Sequence, residues 1–266
     1  MATFGSQLKA AVKGETDDEP KILTPRIRER NANEAGASGF SEETANRIAA
    51  LISDDGNSVR HSRFGASSRG DCLRRQVFSF LGHKQVIDAD LSAIFGDGHW
   101  RHLRWQAMGY EEGWFEDMEV DAFMPEYHLK VSLDAVNWTE GWGFELKGTS
   151  NLKSVRDNGI PEKHKKQMTT MMLATGLRRF VYLAECQRTQ QFYEIVSDWD
   201  PAMAREVEHE LVLLAQAVED EVMPAIITDC MGRSGPTYRG CPFKTICFEA
   251  DDWPDTRVEI TTKEKP

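Results

Sequence analysis

The stretch KVSLDAVNWTEGWGFELKG, residues 130–148, decides how the chain is read. Two runs of alternating apolar and polar residues flank a short break that ends in glycine, the pattern of a β-hairpin. Alternation puts Val131, Leu133 and Ala135 on one face of the first strand, with Ser132, Asp134 and Val136 on the other. On the second strand Phe144 and Leu146 share a face, and Glu145 and Lys147 share the opposite one. Matching the apolar sets therefore gathers Asp134, Glu145 and Lys147. A four-residue loop at Trp138–Gly141 pairs Asn137 with Trp142 and carries Asp134 to a place across from Glu145, with Cβ atoms about 4.5–5.5 Å apart. Two carboxylates at that separation repel each other, so either a cation sits between them or one is protonated. A hard divalent ion such as Mg²⁺ takes one or two carboxylates plus water, and Lys147 could orient a water or stabilise charge on a phosphate. Glu-x-Lys by itself is a common surface-strand tripeptide. The aspartate on the matched face lifts it above that reading.

Working outward, helices are expected over 41–53, 71–82, 90–109 (broken near Gly96 and Gly98), 161–176 and 200–222. Strands are expected over 114–124, 127–138, 142–148, 178–186 and 190–197. This order predicts an α/β fold, a mixed central sheet flanked by helices. Residues 1–40, rich in charge, Gly, Asn and Ala, read as a disordered or loosely docked arm. Residues 41–110 read as a helical N-terminal part, 111–199 as the core, and 200–266 as a C-terminal helix with a Cys/Gly/Pro-rich closing segment.

Hydrophobic residues make up 40% and charged residues 28% of the 266, which is ordinary globular usage. No apolar run approaches the length of a membrane span, and MATFGSQLKAAVKGETDDEP has no apolar core of a secretory leader, so a cytoplasmic protein is expected. The net charge of −11 argues against a protein that coats nucleic acid non-specifically. The charge is segregated, however. Residues 60–104 hold eight Lys/Arg against four Asp/Glu, and residues 147–179 hold eight against two, so basic stretches bracket the hairpin. Most basic runs are solvated helix faces; two flanking one acidic hairpin fit a phosphate-bearing substrate. Five cysteines in an apparently cytosolic chain point to metal binding or free thiols before disulfides. Compact C-x₂₋₄-C pairs of a zinc finger are absent. Cys186 ends an apolar strand and reads as a buried free thiol, whereas Cys72, Cys230, Cys241 and Cys247 lie outside the predicted strands.

The Asp134…Glu145-Leu146-Lys147 hairpin resembles the core of the PD-(D/E)XK nucleases, and more particularly their RecB-type branch. The resemblance covers roughly residues 68–250. It includes a G-x-x-x-H element at Gly98–His102, which makes His102 the implied metal ligand in preference to His99 or His128. Gln167 occupies the Gln of a Q-x-x-x-Y helix, while Met171 stands where that motif has Tyr. The resemblance implies a restriction-endonuclease-like core in which His102, Asp134, Glu145 and the Leu146 carbonyl bind Mg²⁺ or Mn²⁺. Lys147 would hold the attacking water, with Gln167 positioning Lys147 or DNA.

Branch members with an iron–sulphur cluster carry one Cys before the core and three after it, ending in C-x5-C. Cys72 and CPFKTIC (241–247) fit, and Cys230 departs from the usual C-x2-C because ten residues lie between it and Cys241. A [4Fe–4S] cluster on Cys72, Cys230, Cys241 and Cys247 is thus implied as a structural clip joining the N- and C-terminal parts, with zinc as the other occupant.

The expected activity is a metal-dependent exonuclease on single-stranded DNA ends, with Trp100, Trp105 and Lys163–Lys166 tracking the strand. Alternatives are a non-catalytic DNA-binding adaptor on the same fold and an endonuclease for branched or duplex DNA. Protein partners in recombination, repair or CRISPR adaptation, in a bacterial, archaeal or phage-infected cell, would follow from the same resemblance.

Overall fold

In a computed structural model, residues 21–33, 39–53, 62–83 and 89–248 are described. Their elements in chain order are α1 (Leu23–Asn33), α2 (Glu42–Ser53), β1 (Phe64–Gly65), α3 (Leu73–Phe80), α4 (Ala89–Glu111), β2 (Asp117–Met124), β3 (Leu129–Asn137) and β4 (Trp142–Thr149). Then follow α5 (Leu152–Asn158), α6 (Glu162–Thr175), β5 (Arg179–Cys186), β6 (Phe192–Asp198), α7 (Pro201–Glu219) and three one-turn helices at Thr228–Met231, Pro236–Arg239 and Lys244–Cys247.

The six strands form one mixed sheet in the order β1-β3-β4-β5-β6, with β2 also paired to β3. β2, β3 and β4 meander antiparallel, β4 and β5 run parallel, and β6 returns antiparallel to β5. The parallel pair needs a crossover, which α5 and α6 supply. Central β5, RFVYLAEC, is apolar on both faces because both are covered. On one face Phe180 and Tyr182 pack with Met168, Met171 and Met172 of α6 and Val207, Leu211 and Leu214 of α7. On the other, Val181 and Leu183 pack with Phe144, Leu146, Leu23 and Ile27 of α1, and Trp105 of α4. The result is a mixed sheet between two helical layers, the α/β architecture expected. Among the described residues no helix is long and apolar enough to cross a membrane.

Local chemistry sets the boundaries. Asp200 caps α7, accepting from the amides of Ala202 and Met203, with Pro201 at the first helical position. The β3–β4 turn closes through the Gly141 amide on the Asn137 carbonyl at 2.9 Å, with Gly141 at φ 73°.

Two expectations are corrected. The helix predicted to break near Gly96 and Gly98 runs unbroken from Ala89 to Glu111. Within the 1–40 stretch read as an arm, α1 docks firmly. The buried Glu194 carboxylate on β6 accepts from the amides of Ile22 (2.6 Å), Leu23 (3.0 Å) and Thr24 (2.6 Å) and from the Thr24 hydroxyl (2.7 Å). A carboxylate at a helix N-terminus satisfies orphan amides and complements the helix dipole.

Candidate active site

The hairpin register is the expected one: Asn137 faces Trp142, Val136 faces Gly143, and Ala135 faces Phe144. The ladder stops there, one step short of Asp134 and Glu145. Asp134 Oδ2 instead accepts the Leu146 amide at 2.8 Å. On its other side the β2 ladder skips the step at which Glu119 would face Asp134, and Glu119 takes a left-handed backbone, φ 50°. Strict alternation along β3 is therefore corrected. Val131, Leu133 and Val136 share one core, while Ala135 belongs to the other with Phe144 and Leu146. The parity slip occurs at Asp134 and frees its carboxylate from the regular sheet.

Around it the structure gathers five residues singled out in the sequence. His102 Nδ1, on α4, lies 3.2 Å from Asp134 Oδ1. Lys147 Nζ lies 2.5 Å from Glu145 Oε1, and the same oxygen accepts Gln167 Nε2 from α6 at 2.9 Å. Glu145 Oε2 is buried with no hydrogen-bond partner. His99 is elsewhere, exposed with its ring against Trp100, and His128 packs on Phe80. Trp105 is buried and cannot meet a substrate, a correction to its expected tracking role. Lys163 and Lys166 are engaged with Asp71 and Glu210, both at 2.7 Å.

Two site residues were missed. Glu119 joins His102 and Asp134 in a group whose ligand atoms all lie within 4.8 Å of one another. Gln106 donates to Glu119 Oε1 at 2.7 Å and to the Asp134 carbonyl at 2.8 Å. Gln106 was findable, being one helical turn beyond His102 on the same face. Glu119 required knowing that β2 pairs with β3.

The charges are strongly coupled. Burial pushes the Glu145 carboxyl up, against the pull of Lys147. Burial acts the same way on Asp134, but His102, Lys147 and the Leu146 amide together hold it below the usual carboxylate range. Asp134 in turn raises His102 to about 9. Burial disfavours the Lys147 ammonium, yet Glu145 and Asp134 outweigh it and keep it protonated. Enclosure and the Asp134 charge raise Glu119. An unpartnered buried oxygen on Glu145, beside oxygen and imidazole donors, is the donor set of a hard divalent cation. His102, Glu119 and Asp134, whose ligand atoms converge, could hold one, with Glu145 beside them.

His164 closes the α6 side, its Nδ1 2.8 Å from the Tyr182 hydroxyl. Burial, then the Lys147 and Lys163 charges, lower its pKa to about 4. A free imidazole titrates at about 6.5, so the unfolded chain binds this proton first. Stability should be full above about pH 6.5 and fall as the pH drops toward about 4. In His164→Gln this acid sensitivity should shrink, read from urea midpoints between neutral and acid pH; an unchanged slope would count against it.

The four predicted cysteine ligands also converge. Cys72, Cys230, Cys241 and Cys247 all line one cavity of about 250 Å³, with Phe78, Ile226 and Phe243, while Cys186 lies apart on β5. Arg74 of α3 ties the segment down through the carbonyls of Cys247 (3.0 Å) and Pro224 (2.9 Å). Burial raises the Cys230 and Cys247 thiols, and their sulphur neighbours add to it. Tetrahedral zinc–thiolate bonds of about 2.3 Å would set sulphurs about 3.8 Å apart. No three of these cysteines converge within 4.8 Å; among the described residues only His102, Glu119 and Asp134 do so.

No protein-family model matches the chain, and no curated protein matches it. Thirteen chains of solved structures do. An alkaline exonuclease from Laribacter hongkongensis is 21% identical, covering 61% of this chain and 90% of its own, with a TM-score of 0.47. The protein SSO0001 is 16% identical over 80% of this chain and 98% of its own, TM-score 0.46. A phage-related exonuclease from Haemophilus somnus 129PT is 9% identical over 62% of this chain and 99% of its own, TM-score 0.44.

Proposed function

We propose that the chain is a divalent-metal-dependent deoxyribonuclease with a restriction-endonuclease-like core, acting on DNA ends and preferring single strands. The observation that carries this reading is the Asp134–Glu145–Lys147 constellation with its unpartnered buried Glu145 oxygen. A bound Mg²⁺ or Mn²⁺ supplies Lewis acidity toward the scissile phosphate and the attacking water. The chain's own groups do the rest. Asp134, Glu145, His102 and the Leu146 carbonyl would hold the ion, with Glu119 as a further ligand. Lys147, protonated and fixed on Glu145, donates to the attacking water and offsets charge on the phosphate. Gln167 holds Glu145 in place, and Gln106 orients Glu119. The end-directed mode follows the motif resemblance.

The four cysteines would hold a [4Fe–4S] cluster, a reading supported by their soft donor set and their place around one cavity. It would join α3 to the closing segment and carry no step of hydrolysis. Brown colour with broad visible absorption and bound iron is expected of protein purified without oxygen. A colourless, zinc-containing sample would overturn the cluster.

The activity is tested on end-labelled linear single strands, with and without Mg²⁺, using wild type and Asp134→Ala. Cleavage should need both the ion and Asp134. Equal cleavage in every arm rejects the mechanism, and cutting of a circular strand would replace end-directed with internal cleavage.

A further inference from the structure

A second cavity of about 250 Å³ lies beside the reactive centre, lined by Asp97, Trp100, Arg101 and Arg104 of α4 and by Gln187 and Gln190 of the β5–β6 turn. Its position is set by chain neighbours. Arg101 precedes His102, and Gly148 follows Lys147. A Cβ on Gly148 would stand 3.4 Å from Arg101 Nε and 3.3 Å from Gln187 Nε2, so the glycine lets both side chains close over the end of β4.

The lining has an unusual balance. Trp100 is 61% exposed, a large indole face left to solvent at the rim. The two arginines bring no net charge. Arg101 is held by Asp97 at 2.5 Å and Glu185 at 3.1 Å, and Arg104 by Glu185 at 2.5 Å. With two acids against two cations, the cavity is a poor phosphate trap. It does offer hydrogen bonds. Gln187 and Gln190 add amides that can both donate and accept. Gln190 is held with a left-handed backbone, φ 58°, a conformation that costs energy in a non-glycine residue.

A flat aromatic face, two amides and arginines already held in ion pairs match an uncharged planar heterocycle. We infer that this cavity is a nucleobase subsite, which takes one unpaired base of the strand stacked on Trp100 and hydrogen-bonded along its edge. The space, on the order of eight waters, holds one base. Only an unpaired base exposes that edge, so the subsite accounts for a single-strand or frayed-end preference. The inference rests on the nuclease reading and deepens it.

The test measures binding, not cleavage. Short fluorescent single strands are titrated in chelator against wild type, Trp100→Ala and Trp100→Phe, and a single abasic nucleotide is walked along the strand. At one position the abasic site should weaken wild-type binding about five- to tenfold, in the range of one base–aromatic stack. Trp100→Ala should lose a similar factor for the intact strand and become indifferent to the abasic site, and Trp100→Phe should restore the difference. Because Trp100 is exposed, thermal unfolding of the variants should match wild type. Wild-type binding that is indifferent to every abasic position, or a Trp100→Ala loss of equal size for intact and abasic strands, overturns the subsite and leaves the nuclease reading standing. No binding of any strand by wild type, either in chelator or with non-catalytic Ca²⁺ added, overturns both.

Discussion

Lys147→Ala should lose about a hundred- to a thousandfold in DNA cleavage while still being stabilised by Mn²⁺, and Asp134→Ala should lose both. The separation follows from where the groups sit. Asp134 faces His102 and takes the Leu146 amide, so on the proposed reading its carboxylate would form part of the cation-holding wall. Lys147 meets that wall through Glu145, which fixes its ammonium in place. Removing a preorganised charge aimed at a developing negative one costs about 2.7–4 kcal/mol of transition-state stabilisation. The readouts are initial cleavage rates and the rise in melting temperature with added Mn²⁺. A Lys147→Ala protein with unchanged rate, or one deaf to Mn²⁺, would contradict the assigned roles.

Glu185→Ala should cost about 3–5 kcal/mol of folding stability, although the residue is no part of the reacting centre. Its carboxylate is fully buried and collects Arg101 Nη1 at 3.1 Å, Arg104 Nη2 at 2.5 Å and Trp105 Nε1 at 2.6 Å. Three donors spaced over little more than one turn of α4 thus end on one strand residue of β5. Removing the acid leaves the nearly buried Arg101 with only Asp97 for company. Glu185→Gln, which keeps the shape and some hydrogen bonding, should lose less. Urea unfolding reports the stability, and a loss under about 1 kcal/mol would show that the cluster is not an anchor. Since α4 also carries His102 and Gln106, cleavage should weaken with the anchor.

The same anchor explains one failure of sequence reading. Gly96 and Gly98 each cost a helix about 1 kcal/mol, which argued for a break, but propensity is a weak prior against fastening of this strength. The hairpin was legible because a period of two and a four-residue turn leave little choice of register. Its distortion at Asp134 was not, because it depends on the backbone of Glu119 in a different strand. Helix α1 was hidden for a similar reason. LTPRIRERNAN is weakly amphipathic, and its partner Glu194 lies 171 residues from Leu23. The Cys72, Cys230, Cys241 and Cys247 set could be chosen by position, but convergence on one cavity is a tertiary fact that spacing alone does not encode.

That convergence has a bearing on how the molecule is made. At about 5–20 residues per second, on the order of ten to thirty seconds of translation separate Cys72 from Cys241. Through that interval the early thiol waits without its neighbours. On the proposed cluster reading, any iron donor, or any oxidant, would meet Cys72 alone first, and the yield of loaded protein should then depend on thiol-protective conditions during expression more than on the purification that follows.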